Sequence, residues 1–162
     1  LGSPNWVGGT VLQPVFSSET DDQVAGTLRF DSGATGQISV NWSDESERKM
    51  STKITLWGTK GRIHADRQEL QVYLREEGPT GYRKGWTVKY TTELTKEVWF
   101  YLRGEEYSAQ ADDFITRIAE HHTDGVNSFT AATATDQTLA MLVADAESPT
   151  KPRGGLRRLI GR

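Results

Sequence analysis

The sequence contains no cysteine in its 162 residues. That excludes a disulfide framework, thiolate metal sites and a cysteine nucleophile, and it suits a reducing, cytoplasmic setting. No apolar run approaches the ~18 residues needed to cross a bilayer as a helix. Histidine is scarce, with three copies, and no HExxH, DxD, CxxC or GxSxG pattern occurs. The 16 glycines never form a phosphate-cradling loop after a strand. Neither charge sign dominates: 19 Lys and Arg stand against 22 Asp and Glu, a net charge of -3. With a pI near 5.6, the chain as a whole carries no nucleic-acid footprint. It opens Leu1-Gly2-Ser3-Pro4, without an initiator methionine or signal peptide, and reads as a piece cut from something longer.

What is present is enough for one domain. A chain of this length buries roughly two thirds of its unfolded surface. The first half is written in period two. Val24, Gly26, Leu28 and Phe30 alternate with Ala25, Thr27 and Arg29. After the Asp31-Ser32-Gly33 turn, Gly36, Ile38, Val40 and Trp42 alternate with Thr35, Gln37, Ser39 and Asn41. Alternation either side of a short glycine turn predicts a hairpin. Further strands are predicted at Trp6–Val15, Met50–Leu56, Arg62–Ala65, Leu70–Leu74 and Trp86–Tyr90. That makes about seven, and the short connections favour antiparallel pairing. The period then changes. Ala111, Phe114, Ile115 and Ile118 fall on one helical face between about Tyr107 and His121. Leu139, Leu142, Val143 and Ala146 follow a second helical spacing, with Ser128 or Thr130 as cap and Ser148-Pro149 as stop. Strands first and helices afterwards predict an α+β fold: a large, mostly antiparallel sheet with helices on one face and the other face open.

The open face carries Thr27, Arg29, Thr35, Gln37, Ser39 and Asn41, joined by Trp57, Tyr73 and Arg75. It has three readings: a solvated face, an oligomer interface, or the wall of a polar-ligand groove. Glu105-Glu106 and Asp112-Asp113 suit acid–base work only if burial separates their pKa values; placed at a helix start, they complement the helix dipole instead. His121-His122 are adjacent near a helix end and do not converge on one point. His64 is a strand histidine with Asp66 two residues on, and a structural role is the simpler reading. Asp21-Asp22 precedes a strand as turn chemistry. From Ser148 to Arg162 the chain carries five basic residues and no acid, a basic tail expected to be flexible and solvated. Its Leu156, Leu159 and Ile160 with Arg157, Arg158 and Arg162 also make a short amphipathic segment suited to an anionic surface.

Several stretches together resemble a known family. Asp21–Trp42 is similar to the hairpin of the C-terminal domain of Gfo/Idh/MocA-type oxidoreductases. Leu56-Trp57-Gly58-Thr59-Lys60-Gly61-Arg62-Ile63 resembles that family's G-T-x-G-x-I step. Trp99–Gln110 followed by Phe114-Ile115 resembles its Tyr-led helix, and Asn127-Ser128-Phe129 its closing helix. The resemblance spans residues 1–147 as one domain and leaves 148–162 as the tail. It implies the C-terminal, substrate-side and oligomerisation domain of an NAD- or NADP-dependent oxidoreductase acting on a sugar, inositol or nucleotide-sugar-like polyol. It also implies a homo-oligomer, dimer or tetramer, formed through the sheet face at Thr27, Arg29, Gln37, Ser39, Asn41, Trp57 and Tyr73.

The family's Rossmann domain, its E-K-P lysine and its D-x-x-x-H helix have no counterpart here. No catalytic, metal or cofactor-binding residue is therefore assigned, no cofactor is expected in this chain, and the fragment alone is expected to be inactive. Arg103, Glu106 and Tyr107, at the strand-to-helix junction, are the candidate substrate-binding residues. The plainer reading packs Tyr107 under the sheet and pairs Arg103 with an acid. The competing function is a stand-alone, non-catalytic interaction or carbohydrate-binding module. Neither reading needs a nucleic-acid partner or a membrane span.

Overall fold

The computed structural model describes residues 1–46, 50–79, 81–94, 96–102, 105–123, 125–126 and 128–148. The basic tail and Arg103 lie outside the described residues. Seven strands come first: β1 (Pro4–Gln13), β2 (Gln23–Phe30), β3 (Thr35–Asn41), β4 (Ile54–Gly58), β5 (Gly61–Ala65), β6 (Glu69–Leu74) and β7 (Gly85–Tyr90). A short helix α1 (Thr91–Leu94) and two longer ones, α2 (Glu105–Ala119) and α3 (Phe129–Glu147), follow. The α+β class and the antiparallel pairing are as the alternation predicts. The strands form two ladders, β1-β2-β3 and β4-β5-β6-β7, where a single large sheet was expected. The long charged connection from Asp44 to Lys53 separates them, too long for the tight turn that would continue the meander. The chain divides correspondingly into two compact units: residues 1–46 with the segment from 124 onward, and residues 47–123.

In the first unit, one face of β1–β3 is apolar. Val7, Leu28 and Gly36 are register neighbours across it, as are Leu12, Val24 and Val40. Helix α3 packs against β1. Its Leu142, 2 % exposed, is the most buried large side chain described. Two local features permit this close docking. A Cβ on Gly26 would lie 2.9 Å from Leu142 Cδ2, so a larger residue there would force the Leu142 side chain to shift. Between the pairs Gly8↔Thr27 and Val11↔Ala25 the register shifts. Gly9, at φ +68°, and Thr10 there oppose a single residue, a β-bulge. The bulge turns the Thr10 N–H out of the ladder, and Asp145 Oδ2 on α3 accepts it at 2.8 Å. Of the two candidate caps, Ser128 caps α3, its side chain accepting from the Ala131 N–H at 3.2 Å, while Thr130 lies inside the helix; Ser148 ends it.

The β1–β2 connection is organised by Asp22, which is buried. Its carboxylate accepts the N–H groups of Val15, Phe16 and Ser17. These donors, Val15 first, outweigh the desolvation that acts against them and hold its pKa below the usual carboxylate value. The turn role expected for Asp21-Asp22 thus falls on the second aspartate.

In the second unit, β4 and β5 are joined by a two-residue turn that pairs Gly58 with Gly61. Val72, buried, marks the apolar face, with Leu56 and Ile63 as its register neighbours. Helix α2 starts two residues earlier than the apolar stripe suggested. Asp112 and Asp113 consequently sit two turns inside it, away from the helix start where they were expected. Asp113 serves instead in an i,i+4 pair with Arg117, Oδ2 to Nε 2.8 Å. The helix ends in a Schellman motif: His122 N–H donates to Arg117 O and His121 N–H to Ile118 O. His121 occupies the left-handed position at φ 57°.

Candidate functional site

The connection from α1 to α2 forms an open hollow of about 370 Å³. It is lined by Thr92, Lys96, Glu97, Val98, Trp99, Phe100, Tyr101 and Ser108. That volume is at the lower end of small-ligand sites. Leu102 N–H donates to Ser108 Oγ at 2.8 Å, and Ser108 is buried. This clip ties the aromatic segment to the first turns of α2. Phe100 braces Trp99 edge-on, with ring centroids 5.0 Å apart at 71°. Even so, Trp99 is 90 % and Tyr101 76 % exposed. Lys96 and Glu97 are exposed, and neither enters an ion pair with a described residue.

Of the predicted substrate residues, Glu106 and Tyr107 lie beside this cavity without lining it. Glu106 and Tyr107 stand exposed in the first turn of α2, immediately before Ser108. Arg103 lies outside the described residues. Sequence reasoning missed Trp99, Tyr101 and Lys96. Three consecutive aromatics at 99–101 break both the period-two and the 3.6-residue patterns, and that break was the available signal.

The predicted interface residues divide between the two ladders. On β2 and β3, Thr27 pairs with Gln37, Ala25 with Ser39, Gln23 with Asn41 and Arg29 with Thr35. Trp6 extends this face, with the Arg29 guanidinium 4.6 Å from its ring centroid. Trp57 and Tyr73 belong to the other ladder, in a cross-strand row Trp57–Arg62–Tyr73–Trp86. Arg62 lies 5.7 Å from the Trp57 centroid, and the Tyr73 and Trp86 rings are 5.2 Å apart. The next row brings Thr55, His64, Gln71 and Val88 together. His64 Nδ1 is hydrogen-bonded to Thr55 Oγ1 at 3.0 Å, a structural use of this histidine.

A second hollow, of about 410 Å³, includes Lys53, Asp66 and Arg67. Its Asp66 is committed to the β5–β6 turn, accepting from Gln68 and Glu69 N–H. Those bonds hold its carboxyl below the usual value. Among the described residues no group of three or more His, Cys, Asp or Glu could hold a metal. A dinucleotide site needs a parallel βαβ unit with a glycine turn feeding a helix N-terminus. Among the described residues every strand pair is antiparallel, and no glycine turn feeds α2 or α3 from a strand.

The described residues thus form an antiparallel α+β fold with an open hollow on the α1–α2 connection. Residues 1–64 match the family model of the GFO/IDH/MocA C-terminal domain. The fold of the chain is shared with levoglucosan dehydrogenase in complex with NADH and levoglucosan, at TM-score 0.67 and 22% identity over 90% of this chain. UDP-N-acetylglucosamine 3-dehydrogenase GnnA from Acidithiobacillus ferrooxidans follows at TM-score 0.57 and 17% identity over 91%. An oxidoreductase from Agrobacterium radiobacter in complex with NAD+, L-tartaric acid and magnesium gives 0.58 and 19% over 90%. The chain spans 43%, 44% and 42% of those three proteins' own lengths. No curated protein matches it.

Proposed function

We propose that this chain is the substrate-side and assembly domain of an NAD(P)-dependent oxidoreductase of the cytoplasm, acting on a sugar, inositol or nucleotide-sugar-like polyol. The reaction of the whole enzyme is hydride transfer between a secondary alcohol carbon and the nicotinamide. Cofactor and catalytic residues belong to protein outside these residues. The α1–α2 connection, Arg103, Glu106 and Tyr107 form part of the substrate wall. The open faces bearing Thr27, Arg29, Gln37, Ser39 and Asn41, and Trp57 and Tyr73, meet other copies of the chain.

The observation that carries this reading is the apolar stripe of α2. Phe114, Ile115 and Ile118 are 65%, 61% and 60% exposed. A helix with its apolar stripe in water is shaped to contact further protein. Likeness to under half the length of sugar dehydrogenases supports the same view. In the intact enzyme, sugars and inositols should reduce NAD+ or NADP+, and this chain alone should show no tight NADH binding by calorimetry. Tight NADH binding here, or an intact enzyme inert to every polyol tried, overturns the reading.

A further inference from the structure

We propose that the cavity on the α1–α2 connection is a ring-stacking subsite for a neutral polyhydroxylated ring, with Trp99 and Tyr101 as its specificity-determining side chains. This rests on the polyol substrate proposed above and adds which side chains read the ring. A six-membered sugar ring presents C–H groups on its faces and hydroxyls at its rim. Its recognition needs an open aromatic face and, at the edge, both donors and acceptors.

The cavity supplies each. The Trp99 and Phe100 rings meet at 71° with centroids 5.0 Å apart, and Trp99 remains 90 % exposed. Among the described residues no cation lies over the Trp99 ring, and Phe100 is the one ring in contact with it. The other ring contacts differ: Arg29 lies over Trp6, Arg62 over Trp57 and Lys89 over Tyr82, and Trp86 leans on Tyr73. Leaving an indole 90 % exposed forgoes the stabilisation that burying it brings, which is consistent with a surface kept for a ligand. At the rim, Lys96 donates and Glu97 accepts. Their charges sum to zero, which favours an uncharged ligand over a phosphate or a carboxylate. The Leu102–Ser108 clip fixes one wall to α2, so binding need not order that segment.

The test titrates this chain with methyl β-D-glucopyranoside and, separately, with D-glucuronate, following the five tryptophan indole N–H signals by NMR. The expected result is a saturable shift at Trp99 with the glucoside and a weaker response to glucuronate. Trp99→Leu should weaken binding about tenfold, the scale of one aromatic contact. Trp99→Tyr should restore most of it, and Trp57→Leu should leave it unchanged. A shift at Trp57 or Trp86 in place of Trp99, equal or tighter binding of glucuronate, or no saturable shift overturns the subsite. In the intact enzyme Trp99→Leu should raise KM about tenfold at unchanged kcat; an unchanged KM also overturns it. If the glucoside binds at Trp99 but the intact enzyme oxidises no polyol, the oxidoreductase reading fails and the subsite stands.

Discussion

His121 adopts a backbone conformation that costs an L-residue roughly 1–2 kcal/mol and glycine almost nothing. It does so because the Schellman motif closing α2 requires a left-handed residue at that point. His121→Gly should therefore stabilise the protein by about 1 kcal/mol, read as a raised thermal midpoint; a lowered midpoint would show that the imidazole contributes more than the strain costs. Asp22 gives a prediction in pH. Its folded pKa is depressed, so its contribution is fully present above the ordinary value of 3.8 and is lost as pH falls through the lower folded value. Asp22→Asn should be less stable than wild type at pH 7 and should lose stability less steeply below about pH 4. Parallel acid limbs in the two proteins would count against it. The turn role of this aspartate pair was legible in the sequence. Which aspartate gathers three amides was not, because that depends on where the loop folds back.

The elements were more legible than the residues between them. Strict alternation marked the strands and the cap-to-stop spacing marked α3, because both patterns repeat over several residues and have a physical period. Arg62 and Trp86 escaped notice as members of an aromatic row, although the two-residue turn at Thr59-Lys60 already places Arg62 opposite Trp57. The β1 bulge was invisible: a single extra residue leaves no periodic trace, and its partner Asp145 lies 135 residues away. Two substitutions test the α3 contact. Gly26→Val overpacks Leu142 and should cost about 1–3 kcal/mol. Asp145→Ala leaves the Thr10 N–H without its acceptor, with a penalty on the order of 1–3 kcal/mol. Urea midpoints measure both, and unchanged midpoints would mean that α3 does not depend on this docking.

At the scale of the molecule, the sequence yielded the α+β class but not the division into two ladders. Hydrophobic patterning reports which face of each strand is buried; it does not report whether strands on either side of a long charged connection share hydrogen bonds. The proposed assembly is tested here. Scattering should find the chain as a dimer or larger, and Gln37→Glu with Ser39→Glu should shift it toward monomer through like-charge repulsion across the interface. A wild type that stays monomeric at high concentration removes the sheet faces from the assembly.

The pairing of Thr10 with Asp145 also has a consequence for biosynthesis. The unit of residues 47–123 is continuous, whereas the other is interrupted by it. On a ribosome the β1–β3 hairpins emerge before the inserted unit, whereas the helix that covers their apolar face is made only after it. Closing so wide a loop adds little equilibrium penalty, because loop entropy grows only logarithmically with length. It does impose a waiting time, during which Val7, Leu28 and Phe30 stay uncovered on the nascent chain. Slower translation across residues 47–123 should lengthen that interval and raise chaperone dependence, while the finished protein's stability stays the same.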